Sequence, residues 1–396
     1  MIDVVVAPGR DRALRRRHPW VLSGAVAHVE GSAAPGAFVR VRAAEGDVLG
    51  YGHYAPQSSL RVRMLAFGKE PVDERALVRE RLRAAFALRR GAEARALLGA
   101  TDAVRLVNAE GDGLPGLAVD RYGDVAVAKV TSAGMARLRD DVALALREDA
   151  GVAHALERRD ALAARREGVD SDDRTWFGAP PSRAEIRERE RRYTVDLREG
   201  QKTGFYLDQR DARDAVEALA RGRRVLDLFS YTGGFAVAAL RGGAERVVAV
   251  DSSEPALALA RENAERNGDA ARVAFERADA FEWVRSARER FDLLVVDPPP
   301  LARAQRDVAR ATRAYKDAAL HALRCADPGA LALFFGCSHH VGPELFRKVL
   351  FGASLDARRP LAVLRELGAP PDHPVSLDHP EGRYLTGLLV RVGGRP

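Results

Sequence analysis

The pattern of apolar and polar positions changes twice along the chain. Residues 1–70 contain short runs with strand-like alternation, such as GAFVRVRAAEGDVLGYGHY and LRVRMLAFG, separated by turns that contain glycine. Short strands with frequent turns are typical of small all-β domains. We therefore predict a small β-barrel for this first segment.

Residues 71–195 mix helical and strand periodicities. Apolar residues recur every four positions at Val78, Leu82 and Phe86, and Asp73 precedes them as a candidate N-cap, so we predict an amphipathic helix. GLAVDRYGDVAVAKVT predicts two strands joined by a hairpin turn, whereas the polar stretch EGVDSDDRTWFGAPPSRAE predicts a flexible loop. The segment is expected to form a central α+β domain.

In residues 196–396, apolar runs alternate regularly with helical periodicities. The runs are RRVLDLFS, RVVAVD, ARVAFERAD, FDLLVVD and ALALFFG. Strands that alternate with helices indicate right-handed crossovers and a parallel sheet. Two last runs, LAVLREL and RYLTGLLVRV, predict an antiparallel pair at the sheet edge. The fold class is therefore α/β, with a Rossmann-like domain after two smaller domains.

The ends of these strands carry glycines and acids. DLFSYTGGF turns through Gly233–Gly234 into a helix, and the next strands end at Asp251, Asp279 and Asp297. Ligands of such sheets bind outside the carboxyl ends of the strands. Any one of these acids could simply cap a helix, but the series together predicts a nucleotide-like cofactor. Asp251 is suited to ribose hydroxyls, and Asp279 to a purine amino group.

Two cofactors, NAD and S-adenosylmethionine, would satisfy a glycine turn followed by a ribose-binding acid. A dinucleotide requires small residues where its pyrophosphate approaches the helix. Phe229 and Tyr231 occupy that part of the turn, and no phosphate cradle is evident. S-adenosylmethionine has no phosphate, so we predict it as the cofactor, and a dehydrogenase is disfavoured.

The net charge and the cysteine content predict a polyanionic partner and a reducing environment. The net charge of +7 favours nucleic acid, although arginine supplies almost all of it and genomic composition could contribute. Arg15, Arg16 and Arg17 beside Trp20 form a candidate RNA contact, with a solvated basic turn as the alternative. Two cysteines cannot form a disulfide framework, which predicts a cytoplasmic protein. No apolar run is long enough to predict a membrane span. No metal partner is expected.

Five motifs make a specific resemblance. GQKTGFYLDQRDAR, DLFSYTGGF, DPPP, GCSHHV and DHPVSLDHPEGRYLTG resemble the ribosomal-RNA large-subunit cytosine-C5 methyltransferases, and RRRHPWVLSGAV resembles their N-terminal PUA domain. The resemblance implies a PUA-like domain (1–70), a central domain (71–195) and a class I methyltransferase domain (196–396). It further implies methyl transfer from S-adenosylmethionine to a cytosine of 23S rRNA, with the oligomeric state open and a homodimer possible.

The resemblance and the strand ends together give a candidate site. Cys337, which follows a buried strand, is the candidate nucleophile, and Asp297 is expected beside the target base; Cys325 is expected in the core. The predicted cofactor-binding residues are Lys202, Thr203, Phe205, Tyr206, Asp208, Arg210, Asp227, Ser230, Thr232, Gly233, Asp251, Ser252, Asp279 and Asp297.

Three functions compete at this point. Carbon methylation of cytosine requires a thiol, so it depends on Cys337. Methylation of a base amino group needs no cysteine, since a DPP motif often holds the exocyclic nitrogen. The third is an RNA-binding protein with a decayed methyltransferase domain, which the intact series of acids disfavours.

Overall fold

The computed structural model describes residues 1–170, 172–302 and 304–394. The chain divides into two compact units. One comprises Met1–Ile186, Val195–Leu207 and Pro371–Gly382. The other comprises Arg187–Thr194, Asp208–Pro370 and Arg383–Pro396. Among the described residues, no helix combines the length and the apolar character that crossing a membrane demands.

The N-terminal part of the first unit is a six-stranded sheet in the order β2-β6-β5-β4-β1-β3. Only β1 and β4 are parallel among its pairs, and valines such as Val4, Val39 and Val62 fill the core beside it. The predicted all-β character is confirmed. The elements are β1 (Asp3–Val6), α1 (Arg12–Arg15), β2 (Trp20–Leu22), β3 (Val26–Glu30), β4 (Phe38–Arg42), β5 (Val48–Tyr54) and β6 (Leu60–Phe67).

A five-stranded sheet in the order β11-β10-β9-β8-β7 follows in the same unit, with helices packed on it. The predicted amphipathic helix is present as α2, and Asp73 caps it by accepting the N–H of Ala76 at 3.0 Å. The elements are α2 (Glu74–Leu88), α3 (Ala92–Leu98), β7 (Ala103–Asn108), β8 (Leu117–Tyr122), β9 (Val125–Val130), α4 (Ala133–Arg137), α5 (Arg139–Glu148), β10 (His154–Glu157), α6 (Ala161–Glu167) and β11 (Arg174–Phe177).

The prediction of a flexible loop over residues 167–185 is wrong. The stretch contains β11 and the start of a hairpin formed by β12 (Arg183–Glu188) and β13 (Arg191–Asp196). Strand β11 lies at the edge of its sheet, so only part of its surface is buried and its sequence stays polar. Trp176 anchors it by donating to Glu157 at 3.2 Å. Ser171 of the same stretch lies outside the described residues.

The second unit contains a seven-stranded sheet in the order β16-β15-β14-β17-β18-β20-β19. Its elements are α7 (Arg210–Leu219), β14 (Arg224–Leu228), α8 (Gly234–Arg241), β15 (Arg246–Asp251), α9 (Glu254–Asn267), β16 (Val273–Arg277), α10 (Ala280–Ser286), β17 (Phe291–Val296), α11 (Val308–Cys325), β18 (Ala326–Gly336), α12 (Pro343–Ala357), β19 (Leu361–Leu367) and β20 (Thr386–Val392).

Strands β14 to β18 are parallel and β20 is antiparallel to both of its neighbours, as the apolar pattern predicts. Two apolar clusters fill the unit, and both include residues of the parallel strands. The strand order reverses direction at β14, which pairs with β15 on one side and β17 on the other. Ligands bind at such a reversal, outside the carboxyl ends of the strands.

Candidate cofactor and catalytic site

The turn after β14 has an unusual backbone. Phe229, Tyr231 and Gly233 all have positive φ, at 65°, 48° and 78°. This conformation costs a non-glycine residue about 1–2 kcal/mol. Two hydrogen bonds fix it: the Ser230 N–H donates to the Val250 carbonyl at 3.0 Å, and the Gly233 N–H donates to the Ser230 carbonyl at 2.9 Å. Strain of this kind concentrates at ligand sites.

Three polar side-chain atoms at the end of β14 and on this turn are buried without internal partners. Asp227 Oδ1, Ser230 Oγ and Thr232 Oγ1 are inaccessible to solvent and have no hydrogen-bond partner among the described residues. Buried polar atoms in native proteins are ordinarily paired. The predicted turn therefore offers at least three polar atoms to a bound molecule, as a cofactor with amino, carboxyl and hydroxyl groups requires.

Acidic groups from successive strand ends meet at this turn. Asp227 is fully buried, and burial is the main reason that its pKa lies well above the ordinary value. The nearby Asp297 and Asp251 raise that pKa further, while an N–H from Ala236 opposes the shift by donating to Asp227 at 3.0 Å. Three acids in one place favour a cationic ligand, and S-adenosylmethionine carries a sulfonium and an ammonium group.

Asp251 is positioned by the backbone around it. Its Oδ2 accepts the Tyr231 N–H at 2.8 Å and its Oδ1 accepts the Ser253 N–H at 2.9 Å. A carboxylate has about four acceptor sites, so each oxygen keeps one for a ribose hydroxyl. Ser252, which follows it, is exposed. The position of Asp251 thus suits the predicted ribose contact.

Asp279 lies at the end of β16 and caps α10 by accepting the Glu282 N–H at 3.0 Å. It is exposed in an open groove that Phe281, Arg310 and Arg313 also line. The Phe281 ring packs edge-on against Phe229, with centroids 5.1 Å apart. Asp279 can therefore cap the helix and also accept a hydrogen bond from a purine amino group, since the cap uses only one carboxylate oxygen. Phe281 was not among the predicted residues, because it lies on the following helix and not at a strand end.

The two predicted catalytic residues lie on neighbouring loops, Asp297 directly after β17 and Cys337 directly after β18. The Cys337 thiol donates to the carbonyl of Pro298 at 3.3 Å, and Pro298 directly follows Asp297. Ser338 makes a second link between the loops by donating to the Ala302 carbonyl at 2.7 Å. The strand ends of β17 and β18 are thereby joined. Cys325 is buried at the end of α11, where burial raises the pKa of its thiol, as expected for a core residue.

The segment after residue 207 contacts the loop of Asp297 from the start of α7. Gln209 donates to Asp297 Oδ2 at 2.8 Å, and Tyr384 donates to Asp208 Oδ2 at 2.6 Å. Arg210 instead lies in a buried ion cluster, 3.7 Å from Glu188. Gln209 and Tyr384 were missed by sequence reasoning. The motif FYLDQR contained Gln209, but no feature of the motif separates this residue from its neighbours.

The remaining cofactor candidates lie in the first unit. Thr203 donates to Asp120 and lies 2.8 Å from the hydroxyl of Tyr122, and the Phe205 N–H donates to that hydroxyl at 3.2 Å. These bonds anchor the segment to β8. The Lys202 ammonium is 4.2 Å from the centre of the Tyr206 ring. A cofactor role for Lys202, Thr203, Phe205 and Tyr206 stays a prediction.

The three arginines of the predicted RNA contact lie at the end of α1 and in the turn before β2. Arg15 pairs with Asp11 at 2.5 Å and with Asp47 at 3.0 Å, while the guanidinium of Arg17 is over the Phe67 ring; Arg16 is exposed.

Trp20, the aromatic member of this candidate contact, is half-buried. Its indole N–H donates to Glu110 at 2.9 Å, and its ring centre is 4.5 Å from that of His379. The indole is therefore held within the first unit, and its RNA role stays a prediction.

Comparisons with known proteins identify the family of this chain. The model of the S-adenosylmethionine-dependent methyltransferase family matches residues 138–378, and that of the PUA-like domain matches residues 4–67. The chain therefore belongs to the S-adenosylmethionine-dependent methyltransferase family and carries a PUA-like domain at its N-terminus. Its cofactor is S-adenosylmethionine.

Curated relatives match along the whole chain. The Ribosomal RNA large subunit methyltransferase I of Erwinia tasmaniensis is 40% identical over 397 residues, covering 99% of both chains. The protein of the same name from Alteromonas mediterranea is 39% identical over 394 residues, covering 98% of both.

Solved structures share the fold. A SAM-dependent methyltransferase chain from Streptococcus mutans superimposes with a TM-score of 0.83 at 24% identity, covering 99% of this chain and 100% of that one. A methyltransferase solved in complex with SAH superimposes with a TM-score of 0.85, also at 24% identity and with the same coverage.

Proposed function

We propose that this protein methylates C5 of a cytosine in 23S rRNA through a covalent bond between Cys337 and C6 of the base. The observation that carries the proposal is the Cys337 thiol 3.3 Å from the Pro298 carbonyl, which puts the thiol next to the loop that begins with Asp297. An rRNA substrate is supported by the relatives named Ribosomal RNA large subunit methyltransferase I.

The chemistry assigns a separate task to each catalytic residue. Cytosine C5 is a poor nucleophile until the Cys337 thiolate adds to C6, which makes C5 electron-rich. The thiol proton passes to N3 during this addition, and Asp297 hydrogen-bonds the ring edge and stabilises the N3–H that forms. S-adenosylmethionine, when bound, supplies the methyl group. Loss of the C5 proton to solvent then restores the C5–C6 double bond and releases the Cys337 sulfur, which regains its proton from N3. The base leaves its stack to reach the strand ends.

We propose that the cofactor is held mainly by the turn after β14. Asp227, Ser230 and Thr232 supply its unpaired polar atoms, Asp251 accepts from the ribose and Asp279 from the adenine amino group. The further predicted contacts are Lys202, Thr203, Phe205, Tyr206, Asp208, Arg210, Gly233 and Ser252.

We propose three domains, residues 1–70, 71–195 and 196–396, with separate functions for the first and the last. The first part binds RNA and the last part carries out the reaction. Both are proposed to act in the cytoplasm.

Bisulfite sequencing of 23S rRNA tests both the site and the chemistry, because 5-methylcytosine resists conversion. In a deletion strain, one cytosine should lose its protection, and the wild-type gene should restore it. Cys337→Ala should not restore protection, whereas the core variant Cys325→Ala should. Restoration by Cys337→Ala would contradict the thiol mechanism. An unchanged conversion pattern in the deletion strain would contradict C5 methylation and favour transfer to a base amino group.

A further inference from the structure

The side chain of Gln209 is buried, and its amide group has a donor nitrogen and an acceptor oxygen. Its side chain is 3% exposed and lies at the last position of a short turn, Leu207–Gln209, just before α7. The amide nitrogen donates to Asp297 Oδ2 at 2.8 Å. The amide oxygen, Oε1, is buried and has no hydrogen-bond partner among the described residues.

The orientation of this amide is fixed by chemistry. An ionised carboxylate only accepts hydrogen bonds, so the nitrogen of Gln209 must face Asp297 and the oxygen must face away from it. The residues on either side are also held. Asp208 accepts from Tyr384 at 2.6 Å, and Arg210 begins α7. A rigid, buried acceptor therefore lies beside Asp297, whose loop accepts the hydrogen bond of the Cys337 thiol through Pro298.

We propose that Gln209 recognises the exocyclic amino group of the target base, with Oε1 accepting an N–H while Nε2 aligns Asp297. This inference rests on the proposed function of the same site. Cytosine carries that amino group, whereas uracil has a carbonyl oxygen in its place. A carbonyl would face the Gln209 oxygen as a second acceptor and leave both unpaired, so the arrangement selects cytosine over uracil.

The test compares two target bases in an rRNA fragment that wild-type enzyme methylates. One fragment contains cytidine at the target and the other contains 2-pyrimidinone riboside, which lacks only the amino group. The preference is the ratio of kcat/KM for cytidine to that for 2-pyrimidinone riboside, and it includes the different reactivity of the two rings. Gln209→Met has nearly the same length without polar ends. It should lower this ratio about tenfold relative to wild type, as expected for one buried hydrogen bond, because the difference in ring reactivity cancels in the comparison.

Control measurements separate this role from others. Gln305→Met changes an exposed glutamine of the same unit and should retain the wild-type preference. Equal losses on both bases in Gln209→Met would show that Gln209 only positions Asp297, and would overturn the proposal. A retained preference with weakened binding of S-adenosylmethionine, measured by calorimetry, would assign the oxygen to the cofactor ammonium and also overturn it. Failure of wild type to methylate any cytosine would instead contradict the proposed function.

Discussion

At the scale of single residues, Asp251, the proposed ribose contact, is held in place before any ligand binds. Two backbone N–H groups hold its carboxylate at 2.8 and 2.9 Å, so little side-chain freedom remains to be lost on binding. Hydrogen bonds to charged groups contribute about 1.5–3 kcal/mol. Asp251→Ala should therefore weaken S-adenosylmethionine binding at least tenfold by calorimetry.

A surface acid provides the control for this measurement. Asp269→Ala removes an exposed carboxylate that pairs with Arg272, and it should leave the affinity unchanged. NAD should not bind to either protein. An unchanged affinity in folded Asp251→Ala would refute the ribose assignment.

The raised pKa of Asp227 predicts a pH dependence of cofactor binding. Burial favours its protonated form, and a cationic cofactor favours the ionised form, so binding should release a proton. The affinity for S-adenosylmethionine should accordingly increase as the pH rises above the ordinary pKa of a carboxyl group. Calorimetry in buffers of different ionisation enthalpy measures the proton release. Asp227→Asn should abolish it, and a wild-type affinity independent of pH would contradict the assignment.

Sequence predicted some of these residues and missed others for a physical reason. Asp227, Asp251 and Asp297 lie within or directly after apolar runs, and the topology of a parallel sheet brings strand ends together. Gln209 precedes Asp297 by 88 positions and comes from a turn, so only tertiary packing makes them neighbours. Phe281 is adjacent to Asp279 in the groove, but its pairing with Phe229 also depends on packing.

At the scale of elements, a buried ion network joins the hairpin to α7. Glu188 on β12 is fully buried, contacts Arg213 through both carboxylate oxygens and lies 3.0 Å from Arg191. Burial alone would raise its pKa, but the surrounding arginines, Arg213 foremost, lower it to about 2. The network thus stabilises the fold fully above the ordinary pKa of about 4.5, and the contribution is lost as the pH falls towards 2.

Glu188→Gln should destabilise the protein by about 3–5 kcal/mol at neutral pH, because it leaves buried arginines uncompensated. The decrease in stability between pH 4.5 and 2 should also be shallower than in wild type. Urea unfolding at several pH values measures both effects. Glu190→Gln, an exposed neighbour on the same hairpin, should behave like wild type. Equal acid sensitivity in the two variants would show that Glu188 does not carry this dependence.

Regular alternation made the third segment predictable at this scale, since strands buried on both faces read as continuous apolar runs. The edge strand β11 was not predicted, because its polar sequence resembles that of a loop. The start of the hairpin after it was not predicted for the same reason. Glu188 and Arg191 alternate with exposed polar residues, so nothing in their sequence distinguishes a buried ion network from a solvated surface.

At the scale of the whole molecule, the basic charge predicts an RNA-binding role for the N-terminal domain. Replacing Arg15, Arg16 and Arg17 by alanine should weaken binding to 23S rRNA and flatten its salt dependence. The logarithmic slope should decrease by about 0.7–0.9 for each phosphate that the variant no longer neutralises. Binding of S-adenosylmethionine should not change. Filter binding across a salt series measures the slope.

A charge-matched control uses three arginines of the second unit, Arg261, Arg266 and Arg272, which pair with nearby acids. Their replacement by alanine changes the net charge equally and should have the smaller effect on the salt slope. Equal slopes for the two triple variants would show that the N-terminal cluster is a solvated turn and not an RNA contact.

The sequence did not predict which segments of the chain form the first unit. Residues 371–382 come from the end of the chain, yet they belong to this unit. Arg89 donates to the carbonyl of Asp372 at 3.0 Å, and Asn108 donates to that of Pro374 at 3.0 Å. These partners are 283 and 266 positions apart, and hydrophobic periodicity holds no information on such pairing.

The covalent step is tested by an rRNA fragment that contains 5-fluorocytosine, because fluorine at C5 cannot leave as a proton does. Wild-type protein with S-adenosylmethionine should form an RNA adduct that survives a denaturing gel. Cys337→Ala should form none while still binding the cofactor, and Cys325→Ala should form as much as wild type. An adduct that persists in Cys337→Ala, or is lost in folded Cys325→Ala instead, would contradict the assignment of Cys337 as the nucleophile.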